Sequence, residues 1–276
     1  MTVAPKANRT VASARSPLTY VSRTSRPIRY AGPDMMNDVL GTRLGNYCRL
    51  SEDELQALGT LSRDRPRRQR AKTDLIREGE PPRCVFLILS GWAFRYKAME
   101  DGRRQIINFL LPGDMCDLNN FILSEMDHTI SALTAIEFVE LAHEKVAEIG
   151  DLFPRIARAF WWHMLTSASS QRQWTMNLSR SAIERIGHLF CEVFSRLEAV
   201  GLTRGNACDL PVTQIELAEA TGLTSVHVNR TLQEMRAAGL VILKEKVLEI
   251  PDMARLRHAA LFTPNYLHLG RIGDES

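Results

Sequence analysis

The side chains best suited to chemistry lie between apolar positions in Thr213–Gly239, TQIELAEATGLTSVHVNRTLQEMRAAG, and that chemistry is recognition. Thr213 with Glu216 three residues on is a capping box, which starts a helix by reciprocal side-chain to backbone bonds. Ile215, Leu217, Ala218 and Ala220 supply its packing residues, and Gly222 sits where a tight turn needs a residue without a Cβ. Thr224 can cap a second helix, on which Val228, Leu232 and Met235 recur at helical spacing. Ser225, His227, Asn229, Arg230 and Gln233 fall between them and face outward. Two short helices with a polar outer face on the second form the helix-turn-helix pattern, whose second helix enters the major groove of DNA. Gly239 stops that helix, and Leu240–Ile250 (LVILKEKVLEI) reads as two short strands about a charged turn, a wing.

No catalytic constellation competes with this reading. The chain has no Ser-His-Asp order with supporting turns, no phosphate-cradling glycine loop and no metal-ligand spacing. An enzyme is therefore not expected, and neither a metal nor a cofactor is implied. Cys48, Cys84, Cys116, Cys191 and Cys208 are scattered and odd in number, which excludes a disulfide framework. Hydrophobic content of 45% with 24% charged residues is ordinary for a globular protein. A net charge of +3 is too small to argue for nucleic acid by itself. No apolar run reaches the roughly 18 residues of a membrane span. The N-terminus lacks a signal-peptide core, so no membrane partner and a cytoplasmic location are expected.

The elements that must position the polar face precede it. Residues 1–45 place Lys6, Arg9, Arg15, Arg23, Arg26 and Arg29 before the first acidic residue, Asp34. This composition reads as a disordered basic arm that could attract phosphates, with Met35 or Met36 as an alternative translation start. Ser51 and Glu54 form another capping box. The run from Arg63 to Lys72 reads as a solvated loop and strand edge. Short apolar runs then alternate with turn residues: Val85–Leu89 before Ser90-Gly91, Trp92–Met99 before Asp101-Gly102, Ile106–Leu111 before Pro112-Gly113-Asp114, and Ile130–Leu141. Asp101-Gly102 suggests a type I′ hairpin, and the spacing of about ten residues indicates an antiparallel sandwich or barrel. From Leu152 to Leu178 the pattern becomes a long helix. Ile156, Phe160 and Met164 step by four, with Trp161, Leu165 and Ala168 beside them and a run of small residues at Thr166–Ser170. So broad an apolar face suits burial on two sides, one against the β domain and one against a second copy. Ser181–Val200 forms a further amphipathic helix leading into the helix-turn-helix.

In this order the chain resembles the Crp/Fnr family of bacterial transcription regulators. The match rests on Arg77-Glu78-Gly79-Glu80, Val85–Gly91, Asp101-Gly102-Arg103, Pro112-Gly113-Asp114 and Thr213–Gly239, and spans roughly residues 46–252. The resemblance implies an α+β fold. An antiparallel, jelly-roll-like β-roll sensor domain would occupy residues 46–150 and a long dimerisation helix residues 151–180. A C-terminal winged helix-turn-helix would follow at residues 181–252 and a tail at 253–276. It further implies a homodimer on a palindromic operator, joined through Ile156, Phe160, Met164, Ser167 and Ala168, and an activator that recruits RNA polymerase. Base reading is expected from Ser225, Val226 and Arg230; the arginine fork suits a guanine edge and Val226 a thymine methyl. His227 and Asn229 could reach bases or phosphates, and Thr213, Gln214 and Thr224 are phosphate contacts at helix starts.

The sensor half departs from the pattern. Cyclic-AMP-binding members carry Gly-Glu and then Arg-Ser after the Gly-Asp turn. Here Gly113-Asp114 is followed by Met115-Cys116-Asp117-Leu118-Asn119-Asn120 and later Asp127-His128-Thr129. Asp117 would repel a phosphate, so cyclic AMP is not expected, and no cysteine cluster serves an iron–sulfur centre. Haem would need an axial ligand such as His128, His143 or Cys84, none of which has a supporting pattern. Cys116 could sense oxidants if its pKa were depressed. The effector stays unassigned. The alternative function is a sensing β-roll whose helical end binds a protein instead of DNA.

Overall fold

The computed structural model describes residues 39–270. Two helices, α1 (Val39–Gly45) and α2 (Glu52–Ser62), lead into eight strands: β1 (Arg67–Gln69), β2 (Asp74–Ile76), β3 (Val85–Ser90), β4 (Ala93–Ala98), β5 (Arg104–Leu110), β6 (Met115–Cys116), β7 (Thr129–Ala132) and β8 (Ile136–Leu141). They form two four-stranded antiparallel sheets, ordered β1-β8-β3-β6 and β2-β7-β4-β5. Strand β3 shows why the sequence closes this way. Phe86 and Ile88 point between the sheets with Ile130, Ile136 and Phe138, while Val85, Leu87 and Leu89 point outward under helices. With both faces covered, the strand reads as an unbroken apolar run instead of an alternating one.

The turn after β4 differs from the expected type I′ hairpin. Gly102 alone takes a positive φ (82°), the Gly102 amide bonds the Met99 carbonyl, and Asp101 instead accepts the Arg103 amide. Asp101 thus stays in ordinary φ space and the loop spans Met99–Arg103. The expected arm is also shorter than 1–45. Residues 1–38 lie outside the described ones, but Val39–Gly45 is helical, with Val39, Leu40 and Leu44 packed on the β3/β8 face. Gly113 explains the close fit, since a Cβ there would lie 2.8 Å from the Val39 carbonyl oxygen.

Helices α3 (His143–Leu152) and α4 (Pro154–Asn177) follow β8. Ile156, Ala159 and Phe160 of α4 bury against the same sheet face as α1. Helix α5 (Ala182–Glu198) opens with a capping box, Ser181 with Glu184, and buries Ile186, Leu189, Phe190, Val193 and Leu197. Then come β9 (Thr203–Arg204), β10 (Ala207–Asp209), α6 (Gln214–Thr221), α7 (Ser225–Ala237), β11 (Ile242–Lys244), β12 (Val247–Glu249) and α8 (Met253–Ala259). The sequence reading missed β9 and β10, which extend the wing into a four-stranded sheet ordered β11-β12-β10-β9.

This C-terminal unit shares one core with the outer face of the second sheet. Trp92, Phe94, Ile106 and Phe109 pack with Phe190, Leu217, Leu232 and Met235. A buried polar network reinforces the junction. Asp114 accepts from the Leu111 amide (2.7 Å) and from Arg196 Nη2 (2.6 Å), and pairs with Arg43 (3.3 Å). Arg196 also meets Glu192, whose carboxylate accepts from Trp174 Nε1 and, at 2.8 Å, from the Tyr266 hydroxyl. The segment after α8, assigned no chemistry in the sequence, thereby anchors α5 through Tyr266.

Candidate nucleic-acid interface

Helix α6 starts at the expected capping box: the Glu216 amide bonds Thr213 Oγ1 (3.2 Å), and the Thr213 amide bonds Glu216 Oε2 (2.7 Å). Gly222 ends it in the left-handed region (φ 66°), which turns the chain directly into α7. Thr224 caps α7 by accepting the His227 amide at 3.2 Å. On α7, Val228, Thr231, Leu232 and Met235 are buried. Ser225, Val226 and Arg230 are exposed, and His227 and Asn229 are half-buried. Val226 is 78% exposed, an apolar side chain given to solvent by a helix that has an apolar face available. It lies four residues before Arg230 and so on the same helix face.

Asn229 is the centre of a short hydrogen-bonded row. It donates to Gln214 Oε1 (3.1 Å) and accepts from Gln233 Nε2 (3.0 Å), which joins the start of α6 to the middle of α7. Gln233 was not among the sequence-assigned contacts, although its spacing of four from Asn229 placed it on the same face. Arg230 is held loosely by Glu234 at 3.7 Å, and its guanidinium remains available. In the wing, Glu245 and Lys246 adopt positive φ (52° and 63°), the two-residue turn that matches strand twist. Lys244 and Lys246 at this turn are both exposed. Sequence reasoning recorded only a charged turn there.

Two corrections concern α4. Ile156 and Phe160, assigned to a partner, are 0% and 5% exposed and belong to the chain's own core. Met164 and Ser167 are half-buried, and of the five only Ala168 is exposed. The outward stripe is Trp161 (64% exposed), Leu165 (56%) and Ala168, on the flank next to the one expected. Both flanks are apolar, and the broader one goes to the sheet.

The sensor domain holds a cavity of about 510 Å³ between β4, β5, β6 and α4, lined by Arg95, Asp117, Asn119, Asn120, His128 and Gln171 among others. Arg95 pairs with Asp117 at 3.1 Å, and His128 bridges Asp117 (3.1 Å) and Asp127 (2.7 Å). Burial raises the Asp117 pKa, but Arg95 and His128 outweigh it and hold the carboxyl at about 2. Burial likewise lowers His128, and Asp117 overrides it upward. The arginine is thus already neutralised, which leaves no free cation for a phosphate. His143 Nε2 lies 2.7 Å from Asn120 Oδ1 and His128 is engaged by carboxylates, so neither imidazole is poised as an axial ligand. Cys116 is fully buried and burial pushes its thiol well up, the opposite of the depression that oxidant sensing requires. Among the described residues no group of three or more His, Cys, Asp or Glu could hold a metal ion.

Comparison with known proteins agrees with this geometry. Residues 66–151 match the cyclic nucleotide-binding domain family, and residues 184–259 match the Crp-like helix-turn-helix domain family. The chain belongs to the Crp/Fnr family of transcription regulators. It is 27% identical over 199 residues to the transcriptional activator protein FnrL of Cereibacter sphaeroides, covering 70% of this chain and 79% of the relative. It is also 26% identical over 174 residues to the nitrogen fixation regulation protein FixK of Bradyrhizobium diazoefficiens (63% and 72% covered). Its fold is similar to that of FixK2 from Bradyrhizobium japonicum, with a TM-score of 0.63 at 22% identity over 71% of this chain and 96% of that one. As a Crp/Fnr member with this helix-turn-helix, the chain is a DNA-binding transcription regulator. A β-roll module with a protein-binding helical end is not favoured. No helix among the described residues is long and apolar enough to cross a membrane.

Proposed function

We propose that the protein acts as a homodimer on a palindromic operator, with α7 of each copy in successive major grooves and half-sites about one helical turn apart. The observation that carries this reading is the outer face of α7. Exposed Val226 and Arg230 flank the Gln214–Asn229–Gln233 row, on a helix pair fixed by two side-chain caps. Arg230 reads a guanine edge and Val226 a thymine methyl. Thr213, Gln214 and Thr224 meet phosphates at the helix starts, where unpaired amides favour anions. Ser225 and His227 contact the adjoining bases or backbone.

The dimer forms through Trp161, Leu165 and Ala168 of α4, an apolar stripe that a second copy removes from water. We assign the chain no catalytic step and no cofactor. Double-stranded DNA, a second copy and RNA polymerase are its partners in the cytoplasm, and activation is the outcome that its relatives' names support. The test is selection from a random duplex pool by the purified protein at near-physiological salt. Enrichment of a palindrome with half-sites one turn apart is the expected result; an enriched single half-site removes the dimeric arrangement.

A further inference from the structure

The segment Arg63–Lys72 carries six cations (Arg63, Arg65, Arg67, Arg68, Arg70 and Lys72) and one acid, Asp64. Arg67 and Arg68 pair with Glu140 and Glu137 across the sheet edge, yet their side chains remain 62% and 84% exposed. Lys145 holds Asp64, and Lys72 pairs with Glu216. Over the segment and its ion-pair partners, four acids against these six cations and Lys145 leave a net charge of +3. Arg65 and Arg70 are exposed, and among the described residues the side chain of neither makes a hydrogen bond or ion pair. The fold has no use for these two charges, and such a field attracts a polyanion.

The position of the segment identifies the polyanion. Lys72 meets Glu216, the third residue of α6, so the turn before β2 abuts the α6 end that carries Thr213 and Gln214. Gln214 in turn bonds Asn229 of α7. From Arg67 the chain runs along β1 to Gln69 and turns at Ala71-Lys72, so these five residues span at most about 17 Å. Each strand of duplex DNA presents one negative charge per about 3.4 Å of axis, so a strip of that length runs beside at most about five of them.

We propose that Arg65, Arg67, Arg68 and Arg70 of the sensor domain form a second DNA-contact surface, which grips backbone phosphates flanking the half-site read by α7. The proposal rests on the DNA-binding reading above and extends it to a domain that carries no helix-turn-helix. The contact is to phosphate alone, so it adds affinity without base preference. Basic surface that would only be solvated in the free protein becomes part of the footprint.

The test compares the parent protein with an Arg65→Gln/Arg70→Gln variant, which breaks no ion pair, on two versions of the selected operator. One duplex ends at the half-sites and the other extends about one helical turn beyond each. On the long duplex the log-affinity against log-salt slope should be shallower in the variant by about 1 for each lost contact, two to four in a dimer. On the short duplex the two proteins should bind alike, and Arg65→Lys/Arg70→Lys should restore the steeper slope. Equal slopes on the long duplex overturn the proposal, even where the parent binds its operator tightly. A variant that keeps its long-duplex slope but loses polymerase-dependent transcription assigns the strip to an acidic protein surface, which also overturns it. A parent that binds neither duplex removes the DNA-binding reading itself, a result distinguishable from both.

Discussion

Asp114→Asn is the perturbation whose size follows most directly from the packing. The carboxylate is buried and accepts from Arg196, Arg43 and the Leu111 amide. Burial alone would raise its pKa, but Arg43 and then Arg196 outweigh burial and hold it at about 2, against 3.8 for the unperturbed group. A depression of that size corresponds to about 2 kcal/mol of stability at neutral pH. Asparagine keeps the shape and removes the charge, leaving two buried guanidinium groups short of a counter-ion, and breaking buried pairs costs about 3–5 kcal/mol. The expected loss at pH 7 is therefore about 3 kcal/mol. With a urea slope of about 3 kcal/mol/M, the unfolding midpoint falls by about 1 M. The sign with pH is fixed. A depressed carboxylate stabilises fully above its unfolded pKa and loses that stabilisation as pH falls through its folded one. The gap between parent and variant must therefore narrow between about pH 4 and pH 2. Urea titrations of both proteins from pH 7 to pH 2.5 supply the data. A midpoint shift below about 0.3 M, or a gap indifferent to pH, refutes the view that this network holds the two halves together.

Four further outcomes are expected. His188 is buried with a pKa of about 3, because burial and then Arg180 disfavour its charged form; stability should fall from pH 6.5 toward 3 by up to about 1.4 kcal/mol per unit, and His188→Gln should flatten that slope in thermal melts. Arg104 Nε donates to both carboxylate oxygens of Glu219 across the domain junction, partly exposed, so a double-mutant cycle with Arg104→Ala and Glu219→Ala should give a coupling near 1 kcal/mol by urea unfolding. Trp161→Glu with Leu165→Glu should yield monomers in analytical ultracentrifugation, while Ile156→Glu should instead prevent folding, since it inserts a charge into the core. Cys116→Ser should bind DNA identically under oxidant and reductant, and so should the parent; a parent affinity that changes while the variant's does not contradicts the buried, protonated thiol.

Caps, turns and period carried much of this fold on the surface of the sequence. Thr213 with Glu216, Thr224 and Gly222 are local devices, and each sits in the structure as its residue type dictates. What could not be read was the choice between two usable alternatives. Helix α4 is apolar on two flanks, and only the packing of α1 against β3 shows that Ile156 and Phe160 face inward. Asp101-Gly102 permits a type I′ turn, but the Arg103 amide is a better partner for Asp101. Strands β9 and β10 are two and three residues long, too short for any alternation to register. The Arg95–Asp117–His128 group joins residues from three separate strands and turns, so no local spacing signals it. Asp117 was legible as hostile to phosphate; that its partner Arg95 lies in the same cavity was not.

In the proposed complex α7 reads bases and Arg230 reads one of them. The most direct measurement is a paired selection from one random duplex pool, by the parent and by Arg230→Ala at the same salt concentration. The expected result is a shared palindrome in which the variant loses its preference for guanine at one position of each half-site, worth about 1–3 kcal/mol, and keeps every other position. Identical preferences in both selections, or enrichment of nothing by a folded parent, would contradict it.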